Sequence, residues 1–377
     1  MKHPGYIFIL LLFLSSCVSE FVPKTTEDKE ILVVEGLITD QPGVNTIKLS
    51  KSLPLGTRST ANPVTGCTVK ITDDLGNSFD LTETNNGTYV TDATGFQGVV
   101  GRFYTLHINT NGANNITYVS YPTEMKSVPA IDSIYYEKTI IDKTNGITTA
   151  EGCNVYLDTH DPTNQCKYYR WEYSETWEIH LPYLVTNRIC WLSGSSDEIN
   201  IKSTSALEEA RIVKFPINYI SNETDRLSVK YSMLVNQYSL NEDEYDYWEK
   251  LQNFSELVGS LYDMIPSSVP SNIYCVDDPT VTVLGYFSVS ASSSKRIFID
   301  ENFKGVYNPY TSDYCVADTI YNGDSIPNLN TTVWIIATST FPPPPFVVTT
   351  YVKGCADCTV RGTATEPDYW DDGKKKH

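Results

Sequence analysis

Apolar and polar residues alternate in short runs along the chain from residue 31 to residue 121. This period of two residues is typical of strands with one face in a core and the other in water. Turn-forming sequences such as Asp73–Asn77 and Asn85–Gly87 separate the runs. We therefore predict a β-sandwich domain, immunoglobulin-like or prealbumin-like, over residues 30–125. Its predicted strands are Ile31–Leu37, Thr46–Leu49, Thr68–Ile71, Ser78–Leu81, Thr88–Val90, Phe103–Ile108 and Thr117–Tyr121.

A second series of alternating runs begins after the proline-bounded stretch 122–129. It predicts a larger β-rich domain over residues 130–377, with a cysteine-rich C-terminal part, so the whole chain is expected to be mainly β. We expect Thr280–Val289 and Lys295–Ile299 to form a strand pair, and Thr332–Ala337 to be a short buried strand. The other predicted strands are Ser133–Glu137, Cys153–Leu157, Tyr168–Tyr173, Arg211–Ile220 and Arg226–Tyr238.

One segment of the second domain has a helical period instead. Trp248, Leu251 and Val258 recur at helical spacing, and Ser239 with Glu242 has the pattern of a capping box. We predict an inserted helix over residues 239–258. Acidic residues at its start suit the positive end of the helix dipole, so we interpret them as structural and not as a catalytic carboxylate pair.

The first residues have the pattern of an export signal. The apolar run Tyr6–Leu14 is shorter than the ~20 residues that span a bilayer, and it follows Lys2 as in a secretory signal. The sequence Leu-Ser-Ser-Cys ending at Cys17 resembles the lipobox of bacterial lipoproteins. We predict a lipoprotein signal peptide over 1–16, lipidation of Cys17 and a tether over 17–29, with an ordinary signal peptide as the alternative. The lipid would anchor the protein to a bilayer without spanning it.

The composition limits the partners. The 377 residues carry a formal net charge of −18, and binding to phosphate backbones requires basic surface, so nucleic acid is excluded. An acidic body is not attracted to anionic lipids, so the acylated Cys17 must supply the anchoring. The 26 tyrosines favour β structure, and some of them are expected to form a recognition surface.

Eight of the nine cysteines remain once Cys17 is assigned to the lipid. An even number of cysteines in an exported protein predicts disulfides, although their pairing does not follow from sequence. One possible pair is Cys153 with Cys166, which would form a disulfide across a hairpin. The C-x-x-C sequence that ends at Cys358 could have a structural, a redox or a zinc-binding role. No second ligand pair accompanies it, so we expect no metal and no cofactor. The disulfide candidates are Cys67, Cys153, Cys166, Cys190, Cys275, Cys315, Cys355 and Cys358.

The sequence contains no recognisable catalytic motif. It has five histidines and neither a nucleophile elbow, a zinc-protease motif, a phosphate loop nor a dinucleotide fingerprint. His160 beside Asp161 is a candidate base, but we predict it in a hairpin loop. We therefore predict a protein that is not an enzyme, with a glycan hydrolase that uses two carboxylates as the less favoured alternative.

Several motifs in order resemble one known family. They are Tyr231–Leu240, Tyr245-x-x-Trp248, Val283–Ser288, Lys295-Arg296, the C-x-x-C ending at Cys358, and Pro367–Trp370. Together with the lipobox they resemble the Bacteroidota lipoprotein family called domain of unknown function 4249, from the signal to Trp370. The resemblance implies an outer-membrane lipoprotein that faces the cell exterior and accompanies TonB-dependent receptors.

Two functions follow as hypotheses. The first is a non-enzymatic accessory or lid-like subunit that captures substrate for a TonB-dependent outer-membrane transporter. The second is a cell-surface adhesin or structural lipoprotein, because disulfide-stapled sandwiches serve that use equally well.

Overall fold

The computed structural model describes residues 30–52, 62–111, 115–142, 149–257, 269–300, 303–306, 315–321, 333–339 and 345–370. The predicted signal peptide 1–16, the lipidation site Cys17 and the tether 17–29 lie outside these residues. No helix within the described ranges is both long and apolar enough to cross a membrane.

The described chain is mainly β, as predicted. The first ten strands are β1 (Leu32–Ile38), β2 (Thr46–Lys51), β3 (Asn62–Pro63), β4 (Thr68–Asp73), β5 (Ser78–Asp80), β6 (Thr82–Asn85), β7 (Thr88–Val90), β8 (Phe103–Thr110), β9 (Ile116–Ser120) and β10 (Thr123–Glu124). The next seven are β11 (Ile131–Asp142), β12 (Thr149–Asp161), β13 (Tyr168–His180), β14 (Ile189–Ser195), β15 (Asn200–Ser203), β16 (Ala210–Ser221) and β17 (Lys230–Ser239). Helix α1 (Glu242–Leu257) follows, and then β18 (Ile273–Cys275), β19 (Val283–Val289), β20 (Ser292–Ile299), β21 (Asp318–Tyr321), β22 (Trp334–Ser339), β23 (Phe346–Thr350) and the single-turn α2 (Lys353–Ala356).

Two sheets enclose the first core. One has the order β19-β1-β2-β7-β6 with β3 beside β2, and the other has the order β18-β9-β8-β4-β5 with β10 beside β8. Alternate residues of these strands, such as Val34, Ile47, Ile71, Leu106 and Ile108, are almost completely buried between the sheets. The alternation in the sequence therefore gives the predicted sandwich, because each strand hides every second side chain.

This first sandwich includes strands from much later in the chain. Strand β19 runs parallel to β1, and β18 pairs with β9. The range 30–125 that we predicted for the sandwich therefore omits two of its strands. The predicted strand pair within 280–299 is wrong, because β19 and β20 belong to different sheets. Gly285, with φ +87°, permits the close parallel pairing, since a Cβ there would lie 2.0 Å from the Val34 carbonyl oxygen.

A second sandwich forms the larger unit. Its sheets have the orders β11-β12-β16 and β14-β13-β17-β20, with β15 beside β13. Leu157 and Val155 of the first sheet meet Trp171 and Tyr231 of the second in one fully buried core. The long strands β12 and β13 each bury alternate apolar side chains in this core, as their alternating patterns predicted.

Helix α1 lies within the predicted range 239–258, but its predicted cap is wrong. Ser239 is the last residue of β17, and its Oγ donates a hydrogen bond to the Lys126 carbonyl oxygen at 2.5 Å. The helix begins at Glu242, and the Tyr245 amide donates to the Asn241 carbonyl oxygen at 2.9 Å. Pairing with β13 holds Ser239 in an extended conformation, so tertiary contacts override the local capping pattern.

A small third sheet, with the order β21-β23-β22, completes the described chain. The predicted strand at 332–337 is present as β22. It is not a buried strand, because only Ile336 in it is buried and Trp334 is 37% exposed. The strand lies in a small three-stranded sheet and buries only Ile336, while Trp334, Ile335 and Ala337 are exposed.

The described residues contain two disulfides, Cys190–Cys358 and Cys315–Cys355. Each cysteine of the C-x-x-C sequence thus bonds to a distant partner and not to its neighbour. The hairpin disulfide that we considered between Cys153 and Cys166 is absent, and Cys67 and Cys275 are also in neither disulfide. Cys153 lies in the middle of the continuous strand β12, eight residues before Asp161. Because an extended strand rises about 3.3 Å per residue, Cys153 is too far from the turn that carries Cys166 for a disulfide to form.

The topology predicts that residues 30–125 do not fold alone. Without β19, strand β1 loses its parallel neighbour and the fully buried Phe287 leaves the core. A fragment of residues 30–125 should show the narrow amide proton dispersion of an unfolded chain. Joining residues 269–291 to it by a flexible linker should restore dispersed signals, and a folded 30–125 fragment would contradict this topology.

The disulfide map is a second prediction. Peptide mapping without reduction should recover Cys190 linked to Cys358 and Cys315 linked to Cys355. Mapping after reduction is the control. A peptide containing an internal Cys355–Cys358 bond would show instead that the C-x-x-C sequence is a redox pair.

Candidate functional site

A crevice of about 310 Å³ lies where the two sandwiches meet helix α1. We call it the Arg170 crevice. Strands β1 and β2 of the first sandwich form one side, β13 of the second forms another, and α1 with β19 closes the third. The side chains that give the crevice its chemistry are Glu35, Lys48, Arg170, Glu172, Trp248 and Tyr286.

Arg170 is the buried cation of the crevice. Its strand neighbours Tyr169 and Trp171 point into the second core, so the alternation of β13 turns Arg170 toward α1. The guanidinium carbon lies 4.1 Å from the centre of the Trp248 ring and 5.3 Å from that of Tyr238. One terminal nitrogen donates to Glu172. The side chain is only 7% exposed, and its Nε donates to no described residue.

Glu244 is a buried acid directly behind the crevice wall. It lies in the first turn of α1, four residues before Trp248, so both side chains share one face of the helix. The residue has no exposed surface. Trp248 Nε1 donates to Glu244 Oε1 at 3.3 Å, while Oε2 accepts a hydrogen bond from no described residue.

Burial controls the protonation of Glu244. Loss of contact with water raises the pKa of this carboxyl to about 7, although the nearby Ser288 hydroxyl, the charge of Arg170 and Trp248 each lower the pKa. Glu244 is in no ion pair among the described residues. A buried carboxyl without a cationic partner favours the neutral form, so Glu244 holds its proton at mildly acidic pH.

Aromatic rings seal this acid from water. The ring centres of Tyr247 and Tyr286 lie 4.8 Å apart, and those of Tyr247 and Trp248 lie 5.4 Å apart. Burial raises the pKa of Tyr247 to about 12 and also raises the pKa of Tyr286, so both phenols stay neutral. The wall thus combines an apolar ring surface with a buried hydrogen-bond donor, the Arg170 guanidinium, and a buried acceptor behind it, the Glu244 carboxyl.

The unpartnered atoms make this crevice the candidate site. A buried polar atom without a hydrogen bond costs about 1–3 kcal/mol, so such atoms usually have a reason in function. Here an Arg170 donor and a Glu244 acceptor lie around one indole, beside a rim that carries Glu35 and Lys48. The arrangement suits non-covalent binding of a polar group beside Arg170.

Two further depressions adjoin the same elements. One of about 170 Å³ shares Arg170, Glu172 and Trp248 with the crevice, on the side of residues 196–200. Another of about 500 Å³ lies across Tyr286 and is lined by Tyr121, Lys126 and the exposed side of α1. Helix α1 is therefore the common wall of three concave surfaces.

The histidines named from the sequence lie elsewhere. His160 Nδ1 is 2.7 Å from Asp132 Oδ2, His180 Nε2 is 2.6 Å from Glu178 Oε1, and His107 Nε2 is 2.9 Å from Thr72 Oγ1. His160 lies within strand β12, so its predicted loop position is wrong. The pairing of β12 with β16 extends through Asp161 and keeps His160 in the sheet.

Other predicted groups are also separate from the crevice. Asp161 accepts the backbone amides of Thr163, Gln165 and Cys166, which is the geometry of a turn. None of the eight cysteines lines the crevice. Within the described ranges, no three His, Cys, Asp or Glu side chains are grouped so that they could hold a metal ion.

Sequence reasoning missed the residues of the crevice. Arg170 was one polar position in a predicted strand, and Glu244 was one of three acids at a helix start. The available signal was the i, i+4 spacing of Glu244 and Trp248, which predicts that both lie on the packed face of α1. Only the contact with β13 reveals that the packed face buries an acid beside an arginine.

The fold and crevice define a mainly β protein of two sandwiches, with charged side chains and helix α1 at their junction. The chain belongs to the family described as Domain of unknown function (DUF4249), whose model matches residues 18–296. This confirms the resemblance to domain of unknown function 4249. The match includes Arg170, α1 and β19 and ends within β20, whereas our resemblance extended to Trp370. No curated protein matches the chain.

Replacing Glu244 by Gln should change how stability depends on pH. Because burial raises the pKa of Glu244 to about 7, the native state holds a proton that the unfolded chain has lost above about pH 4.3. The contribution of Glu244 to wild-type stability therefore falls as the pH rises from about 4 to about 7. Glu244→Gln should remove this fall and be more stable at about pH 8 by up to about 3 kcal/mol.

Urea unfolding followed by tryptophan fluorescence across this pH range measures the effect. Glu242→Gln is the matched control, since Glu242 lies in the same helical turn but is exposed. It should retain the wild-type pH profile. Equal profiles for Glu244→Gln and the wild type would contradict the burial of an uncompensated acid.

Proposed function

We propose that the protein is a lipid-anchored, non-enzymatic binding subunit of a TonB-dependent outer-membrane transporter. Cys17 carries the lipid, the tether 17–29 connects it to the body, and the body faces the cell exterior. The protein acts as an accessory or lid that captures a ligand and presents it to the transporter. The lipobox and the order of the family motifs support the anchor and the partner.

The observation that carries the capture role is the Arg170 crevice. It is concave, it lies between two units, and it is lined by Arg170, whose Nε has no described partner, while Glu244 is buried behind the same aromatic wall. Sites for small ligands are typically apolar clefts of about 300–1,000 Å³ with a few convergent polar groups, often at domain interfaces. The crevice fits the lower end of this range.

The same geometry favours binding over catalysis. Arg170 is held by two rings and Glu172, and Glu244 is sealed behind Tyr247 and Trp248. A general acid or base must reach a reacting atom within hydrogen-bonding distance. Neither group is open to a reacting atom in this way, and none of the described histidines lines the crevice.

Recovery of the native, lipidated protein from outer membranes in mild detergent tests the function. We expect a TonB-dependent barrel to co-purify in equimolar amount, as identified by mass spectrometry. The Cys17→Ser variant, which cannot carry the thioether-linked lipid, should appear in the soluble fraction and lose the barrel. A lipidated protein recovered alone as a monomer would contradict the transporter role.

A crevice variant separates ligand capture from assembly. Trp248→Ala removes the ring on which Arg170 stacks, so any small molecule retained by the wild type should be lost while the barrel stays bound. Trp334→Ala is the matched control, because Trp334 lies in the third sheet, away from the crevice. Self-association or attachment to neighbouring cells without a barrel would favour the adhesin instead.

A further inference from the structure

The buried side chains of Arg170 and Glu244 both contact the Trp248 indole, but they form no ion pair with each other. Arg170 stacks on the Trp248 ring at 4.1 Å, and Glu244 accepts the Trp248 ring N–H at 3.3 Å. Arg170 Nε and Glu244 Oε2 each have no hydrogen-bond partner among the described residues. Arg170 therefore keeps one free donor, its Nε, and Glu244 keeps one free acceptor, its Oε2, although the two side chains contact the same ring.

Arg170 uses a different carboxylate in this structure. It pairs with Glu172, two residues along the same face of β13, whose side chain is 45% exposed. An exposed carboxylate is stabilised by water and gains little from an ion pair. Glu244 has no exposed surface, so in its ionised form it depends on a protein cation for compensation.

We propose that Arg170 is a two-position, proton-controlled switch of the crevice. It pairs with Glu172 while Glu244 carries a proton, and it turns to Glu244 when Glu244 is ionised. The proton passes from the Glu244 carboxyl to solvent, and the guanidinium keeps its charge throughout because arginine does not deprotonate in proteins. The role of this switch in regulating ligand capture rests on the proposed function.

The energetic argument compares the two carboxylates. A buried carboxylate whose neighbouring donors are only neutral groups, here the Trp248 N–H and the Ser288 hydroxyl, is strongly destabilised. Attraction between opposite charges is stronger in the interior than at the surface, because the effective dielectric constant is lower there. When Arg170 exchanges Glu172 for Glu244, water solvates the exposed Glu172 carboxylate and Arg170 pairs with the buried Glu244 carboxylate. Ionisation of Glu244 therefore drives the exchange.

The other charged and titratable groups around Glu244 do not provide an alternative partner. Tyr247 of α1 and Tyr286 of β19 are buried phenols whose pKa values are raised, so they add no charge. Asp243 of α1 and Glu35 of β1 are acids and repel a second negative charge. Among the charged groups of the crevice wall, Lys48 of β2 is exposed on the rim, which leaves Arg170 as the cation beside Glu244.

The exchange would change what the crevice presents. In the acidic state, Arg170 and Glu172 neutralise each other on the wall. In the ionised state, Glu172 carries an unpaired negative charge toward the crevice, while Arg170 withdraws against α1. A ligand with a cationic group would gain affinity as the pH rises through neutrality, and one with an anionic group would lose affinity.

Nitrogen-15 NMR of arginine side chains in the full chain, without ligand, tests the switch. The Nε–H signal of Arg170, assigned by its loss in Arg170→Lys, should shift between about pH 5 and about pH 9 as Glu244 titrates. It should stay unshifted in Glu244→Gln, and shift as in wild type in Glu242→Gln. A wild-type signal that does not move, or one that moves equally in Glu244→Gln, would overturn the proposal.

The competing carboxylate gives a second readout. Glu172→Gln removes the charge that holds Arg170 in its first position, so the midpoint of the shift should move to lower pH. An unchanged midpoint would show that Glu172 and Glu244 do not compete for Arg170. Neither measurement needs a transporter or a ligand, so failure of the proposed function leaves this result intact, and failure of the switch leaves the pull-down intact.

Discussion

The parallel pairing of β1 with β19 is the constraint on which the other features depend. Seven residue pairs, from Leu32 with Val283 to Ile38 with Val289, join the first strand of the chain to one of its last. Parallel neighbours always need a long connection, and here that connection contains most of the second sandwich. Buried Ala291 then leads directly into β20 of the second sandwich. The two units are therefore interlocked by the chain itself.

This pairing also creates the candidate site. Strand β19 places Tyr286 and Ser288 against the first turn of α1, where they cover Glu244. On the opposite side, Leu37 of β1 packs into a small cluster with Tyr238 and Trp248. The acid is buried because two sheets meet over one helix. Its raised pKa is thus a consequence of topology, and a change in either sheet contact would alter its protonation.

The predictable parts of the fold are those set by local patterns. Strands such as β12 and β13 follow from their alternation, and α1 follows from its helical period. The pairing of β19 with β1 and the loss of the Ser239 cap depend on contacts between distant residues, which no window of sequence contains. The disulfides are of the same kind, because Cys358 meets Cys190 across 168 residues.

The candidate site was the least predictable feature, for the same physical reason. Arg170 is an ordinary polar position in a strand, and Glu244 is an ordinary acid at a helix start. Their importance comes from burial without a partner, and burial is a property of the assembled packing. Family membership adds a chain of motifs in a fixed order, but it does not identify which of the charged residues face each other.

The length of the predicted tether limits how far the crevice could lie from a membrane. If Cys17 carries the lipid, about 15 residues separate the bilayer from the start of β1, and even fully extended they span at most about 50 Å. Strand β1 itself contributes Glu35 to the crevice wall. The proposed binding site would therefore be held near the same membrane as any embedded transporter. A short tether raises the effective concentration of the protein near any partner embedded in that membrane, so under the proposed function even weak contacts with a barrel would hold the two together.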